Sequence, residues 1–226
     1  MKKTASVVLA AALVAGAALA PASAPAAKKK QLPGCAAKKS TTLAANKDGR
    51  VYSVGFNAYA CGYKTNKRFL LGDTSECQNQ TEADDFRLGD GVLGYMETSC
   101  GLVSGNSTIR VISLKTGKTK YAGSPVDATW SGGEYSTDFG SWEMKRNGSI
   151  AWIGHFGGFV TTPTSGPPPA EEFQVWKNDA NGEAKLDSGP NIVRDSLALG
   201  SEADLDTGLS PIYWLKGSTP VKGALK

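Results

Sequence analysis

Met144-Lys145-Arg146-Asn147-Gly148-Ser149-Ile150-Ala151-Trp152-Ile153-Gly154 opens the stretch that decides the fold. After a proline-rich interruption it resumes as Glu171-Glu172-Phe173-Gln174-Val175-Trp176-Lys177-Asn178-Asp179-Ala180-Asn181-Gly182-Glu183-Ala184-Lys185-Leu186-Asp187. Asn-Gly between apolar runs is the strongest short hairpin signal, because a tight hairpin turn needs two residues at positive φ. The stretch reads as four short strands: two Asn-Gly hairpins joined by a long loop that carries Gly166-Pro167-Pro168-Pro169.

Looser copies of this unit fill most of the chain. The first runs from Thr41 to Gly72, with Lys47-Asp48-Gly49-Arg50 as its first turn, Val51–Phe56 as its second strand and Tyr59–Tyr63 leading into its third. The second begins at Phe86, turns at Gly89-Asp90-Gly91 and Thr116-Gly117-Lys118, and closes at Gly123. Asp73–Asp85 and Ser124–Ser141 read as connections between units. A fourth unit starts at Asp195, repeats the Trp pattern in Ser210-Pro211-Ile212-Tyr213-Trp214-Leu215, and stops after three strands. Equivalent second-strand positions, Val51, Val92, Ile150 and Ile212, lie 41, 58 and 62 residues apart, with the extra length in loops. Helical periodicity is almost absent. The expectation is an all-β chain of antiparallel four-stranded repeats, a partial or four-bladed β-propeller-like array, with a β-sandwich as the alternative.

The start of the chain reads differently. Lys2-Lys3, a small-and-apolar run from Thr4 to Ala20, and Ala24-Pro25-Ala26 make the three-part pattern of a secretory signal peptide over residues 1–26. Residues 27–40 form a basic tail, and 41–226 a single β-repeat domain. No later run is apolar enough to span a membrane. Removing residues 1–26 takes the formal charge from +4 to +2, with much of the excess in Lys28, Lys29, Lys30, Lys38 and Lys39. A near-neutral folded part is a poor footprint for nucleic acid. The basic tail suits contact with an anionic cell surface.

Cys35, Cys61, Cys77 and Cys100 form an even set in an exported chain and point to two disulfides. With the third strand opening at Cys61, all four cysteines map to the end of each unit opposite its tight turns, and Cys61–Cys77 with Cys35–Cys100 is the favoured pairing. No paired Cys/His spacing suggests a metal, and no cofactor motif is present.

The repeating Leu-x-Gly/Asn-Gly-x-Val/Ile-x-Tyr/Trp pattern resembles WD-like and Tol-associated β-propeller repeats. More narrowly, the chain resembles a group of uncharacterised secreted bacterial proteins with such repeats. The residues that carry the likeness are Arg110–Lys118, Lys145–Gly154, Leu186–Gly189 and Ile212–Leu215. The Trp-Asp dipeptide of true WD repeats is absent, and the resemblance carries no functional residues over.

The chemistry-bearing candidates are few. His155, the one histidine, would need a nucleophile and an orienting acid to act as a base; Ser165 and Glu171 adjoin it in sequence, without a nucleophile elbow. Glu82-Ala83-Asp84-Asp85 and Glu202-Ala203-Asp204-Leu205-Asp206 are acidic runs that lack the spacing of a calcium loop. Trp152 and Trp214 occupy matched repeat positions and read as core, whereas Trp130, Tyr135 and Phe139 read as the aromatic surface. Partner contacts are expected on loops 124–141 and 155–170. The resulting expectation is a secreted, non-catalytic binding or scaffold protein of unknown ligand; the alternative is an extracellular hydrolase whose site is assembled from dispersed carboxylates.

Overall fold

β-Strand follows β-strand throughout the computed structural model, which describes residues 34–74, 81–99, 106–125, 135–158, 172–200 and 208–226. The first unit is β1 (Thr41–Ala45), β2 (Gly49–Val54), β3 (Asn57–Gly62) and β4 (Lys67–Asp73). The second is β5 (Thr81–Leu88), β6 (Val92–Ser99), β7 (Asn106–Ser113) and β8 (Thr119–Gly123). The third is β9 (Tyr135–Met144), β10 (Ile150–Gly158), β11 (Glu172–Asp179) and β12 (Gly182–Gly189). Among the described residues the fourth has β13 (Ala198–Leu199), β14 (Ser210–Lys216) and β15 (Thr219–Leu225). Each strand pairs antiparallel with its sequence neighbour inside its unit. Among the described residues a single parallel pair, Asp73↔Glu82, joins the first two units into one eight-stranded sheet, and no sheet closes on itself.

Alternation along the strands explains how the units pack. On β10, Ile150 and Trp152 point toward the second unit and share a core with Val92, Ile109 and Val111. Ala151 and Ile153, on the other face, pack with Ile212, Trp214 and Leu225 of the fourth. A strand buried on both faces reads as the unbroken apolar run Ile-Ala-Trp-Ile, which is why this stretch stands out in the sequence. On β6, Leu93 and Tyr95 turn toward the first unit, while Val92 and Met96 turn toward the third. Every successive pair of units thus shares one core. Gly94 shows how close the fit is: a Cβ there would sit 2.7 Å from the Met144 sulfur and 3.0 Å from the Trp142 ring.

Both Asn-Gly turns form, with Gly148 at φ +96° and Gly182 at φ +95°. One turn overlooked in the sequence corrects the cysteine pairing. Gly55, at φ +60°, closes a tight β2–β3 hairpin, so β3 begins at Asn57 and ends, rather than starts, near Cys61. Cys61 therefore lies at the end that carries the β1–β2 and β3–β4 turns, opposite the exit of β4. It bonds to Cys35, with a Cα–Cα separation of 5.3 Å, which overturns both Cys61–Cys77 and Cys35–Cys100. The bond fits an oxidising compartment. Cys77, Cys100 and residues 1–33, including the expected signal peptide, lie outside the described residues. Two connections also prove shorter than expected, because Thr81–Asp85 belongs to β5 and Tyr135–Ser141 to β9. Among the described residues, no helix is long and apolar enough to cross a membrane.

Candidate functional site

Four tight turns converge between the first and second units. They bound a half-open cleft of about 610 Å³, lined by Lys47, Asp48, Gly62, Lys64, Thr65, Asp90, Gly91, Leu114 and Lys115. That volume is in the range of small-molecule sites. Backbone contacts fix its walls. The Asn46 side-chain oxygen accepts from the Asp48 and Gly49 N–H groups at 2.9 and 3.1 Å, and its amide donates across the units to the Gly89 carbonyl at 3.0 Å. Asp48 accepts from the Gly91 N–H at 3.2 Å, and the Leu114 N–H donates to the Gly91 carbonyl at 2.9 Å. Buried Leu114 lies against Gly62, where a Cβ would come within 2.4 Å of the Leu114 carbonyl oxygen.

The charges at the rim are unevenly matched. Asp90 is held from one side by Arg146 at 3.0 Å and from the other by Lys47 at 3.4 Å. The Arg146 hydrogen bond lowers its carboxyl below the usual range against a small opposing effect of burial, with Lys47 adding to the lowering. Lys64 and Lys115 are exposed, and among the described residues neither has a carboxylate within ion-pair distance. Ammonium groups are donors without acceptor capacity. Two unpaired ones at the mouth of a cleft favour an anionic group.

The uneven charge extends to the whole unit. Residues 34–74 contain seven lysines and arginines against two acids, Asp48 and Asp73, and Asp73 is buried. A near-neutral total thus hides a cationic first unit. Sequence reasoning missed this because it counted the chain as one body and treated the lysines as belonging to a tail.

Comparison of the chain with protein-family models, with curated proteins and with solved structures returned no match. The site is read from its own geometry.

The other candidates fall in different places. His155, half-buried on β10, has beside it an acid other than the Glu171 that the sequence offered: its Nδ1 lies 3.1 Å from Asp138 on β9. The second Asp138 oxygen accepts from Arg194 at 2.9 Å, and the imidazole stacks on Phe173 with centroids 4.6 Å apart. The histidine Nε2 is buried without a partner. This arrangement ties β9, β10, β11 and the chain leading to the fourth unit together. Ser165 and Glu171 lie outside the described residues. Glu82, Asp84 and Asp85 sit on a strand, and Asp85 is engaged by the Trp142 indole N–H and by Arg87. Among the described residues no three His, Cys, Asp or Glu side chains gather as a metal cage. Glu202, Asp204, Asp206 and Trp130 lie outside the described residues, as does most of the loop sequence expected to meet a partner. Trp152 and Trp214 are core as expected. Phe139 is also core, which removes it from the expected aromatic surface; its strand begins inside what the sequence presented as a connection.

Proposed function

We propose that the chain is an exported binding or scaffold protein without a reaction of its own, built from propeller-like repeats, that seats an anionic group in the cleft between its first two units. The observation that carries this reading is the pair of unpaired ammonium groups, Lys64 and Lys115, at the mouth of a cleft whose walls are locked by backbone hydrogen bonds. The N-terminal export pattern and the Cys35–Cys61 bond support an oxidising, extracytoplasmic setting. Several described carboxylates are engaged structurally: Asp138 by His155 and Arg194, Asp179 by Lys177, Asp187 by Lys216.

The test is a titration followed by amide chemical shifts, with inorganic phosphate and a uronic-acid oligosaccharide against a neutral oligosaccharide of equal length. Anionic ligands should shift the turns around Lys47, Lys64 and Lys115, and the neutral one should not. Lys64→Ala/Lys115→Ala should weaken binding by about fivefold or more, since each charge-assisted contact contributes about 1.5–3 kcal/mol at most and less when exposed. Unchanged affinity in the double variant, or equal shifts with the neutral sugar, sinks the reading. Cleavage of the oligosaccharide by purified protein would instead support the hydrolase built from dispersed carboxylates.

A further inference from the structure

The outward face of the first unit, turned away from the second, is arranged by strand register into two rows. Arg50, Cys61 and Arg68 are cross-strand neighbours, and so are Tyr52, Tyr59 and Leu70. The two tyrosine rings stack at 5.7 Å; the Arg50 guanidinium lies 4.4 Å from the Tyr52 centroid and that of Arg68 5.2 Å from Tyr59. A strap, residues 34–40, crosses this face. The Cys35–Cys61 bond clips it down, the Tyr52 hydroxyl donates to the Gly34 carbonyl at 2.8 Å, and Arg50 donates to the Ser40 hydroxyl. Tyr52 is thereby fully buried, and what remains outward is charge and aliphatic carbon.

Two features coincide there. Lys38, Lys39, Arg50, Lys67 and Arg68 have no carboxylate within ion-pair distance among the described residues. The same unit also exposes Leu43, Phe56, Tyr63 and Leu70, with Leu70 63% accessible, whereas the second and third units expose no large apolar side chain to that degree among the described residues. A soluble polyanion would match the cations and leave Leu70 in water. A bilayer interface satisfies both, with headgroup phosphates for the cations and the acyl boundary for the apolar side chains.

We propose that the strapped outer face of the first unit docks on an anionic lipid bilayer, with Lys39, Lys67 and Arg68 against headgroup phosphates and Leu70 entering the interface. The proposal stands apart from the cleft: Lys39, Lys67, Arg68 and Leu70 do not line it.

The experiment is co-sedimentation of protein purified from the oxidising compartment of an export-competent host with vesicles of phosphatidylcholine alone, or with about a third phosphatidylglycerol. All variants share the same N terminus, so its contribution cancels. Wild type should partition to the anionic vesicles and be released as salt shortens the Debye length from about 10 Å at 0.1 M to about 3 Å at 1 M. Lys39→Glu/Lys67→Glu, at two exposed positions that carry no packing, should weaken partitioning about tenfold or more. Leu70→Ser, which leaves the charge unchanged, should weaken it severalfold and leave Lys64→Ala/Lys115→Ala ligand effects untouched. Circular dichroism confirms that each variant is folded. Equal partitioning to uncharged vesicles, full partitioning by the charge-reversed variant, or a wild type that binds soluble polyphosphate but no vesicle would overturn the proposal.

Discussion

The first and last units face the same physical problem and solve it differently. Among the described residues each packs against a neighbouring unit on one face, and a β-sheet with an apolar face cannot leave that face in water. The first unit has four strands, a strongly cationic composition, and a covalently clipped strap over Tyr52 and Cys61. The last has three strands among the described residues. It turns Ile212, Trp214 and Leu225 inward and leaves Tyr213 and Leu215 each 37% exposed on the other side. Its edge strand β15 carries Pro220, which lacks an N–H, and Lys222, both residues that discourage edge pairing. The second and third units, flanked on both sides, need neither device. The repeat therefore specifies the interior of the array, and the ends depend on residues outside the repeat.

The comparison is broken most forcefully from the last unit's side. Trp214 is buried between the third and fourth units, and its indole N–H donates to Asp187 at 3.0 Å. Trp214→Ala should remove about 3–5 kcal/mol. Because, among the described residues, the fourth unit packs against the third alone and carries no disulfide clip, that loss should appear as a separate early transition in urea, with the near-ultraviolet signal of the first three units retained. A single cooperative transition shifted as a whole would show that the last unit is not an independent end.

At the first unit the tie is covalent. Cys35 and Cys61 are 26 residues apart, and loss of a disulfide closing such a loop costs about 2–4 kcal/mol. Cys35→Ser should lower the urea midpoint accordingly and uncover Tyr52 to solvent, which tyrosine fluorescence quenching would report. Peptide mapping without reduction should return a Cys35–Cys61 fragment; a fragment linking Cys61 to Cys77 would remove the strap from this account.

These two ends also mark what was legible in the sequence. The Asn-Gly turns and the run Ile150-Ala151-Trp152-Ile153 announced the third unit because a strand buried on both faces and a turn needing positive φ leave few alternative residues. The Gly55 turn was not legible, since Gly55-Phe56 lacks the Asn or Asp that usually marks such a hairpin, and one missed turn moved Cys61 to the wrong end of its unit. Asp138 was hidden by a similar error of phase, because β9 starts within a Gly- and Ser-containing stretch. The cleft was out of reach altogether. Lys47, Lys64, Asp90 and Lys115 come from four turns of two units, and only the register and the stacking of sheets bring them together.

The smallest expected effect sharpens the contrast in another way, because the last unit is tied by charge where the first is tied by sulfur. Asp179, at the end of β11, has a fully buried side chain that accepts from the Lys226 N–H at 3.0 Å, from Lys177 Nζ at 2.9 Å and from the Asn181 N–H at 2.8 Å. Burial disfavours its charge, but these donors outweigh burial and hold its carboxyl below the usual range. A depressed carboxylate stabilises the fold at pH values above its unfolded pKa of about 3.9 and loses that contribution as pH falls through its folded value. Acid should therefore loosen the junction of the third and fourth units below about pH 4 while the strap of the first unit holds. Reductant at neutral pH should do the reverse. Asp179→Asn should cost about 1–3 kcal/mol at pH 7 and flatten the acid limb of the stability curve. Amide exchange locates the effect: at pH 3 the strands β14 and β15 should exchange ahead of β2 and β3. If β2 and β3 exchange first, or if Asp179→Asn leaves the acid limb unchanged, the charge tie at the last unit is not what distinguishes the two ends.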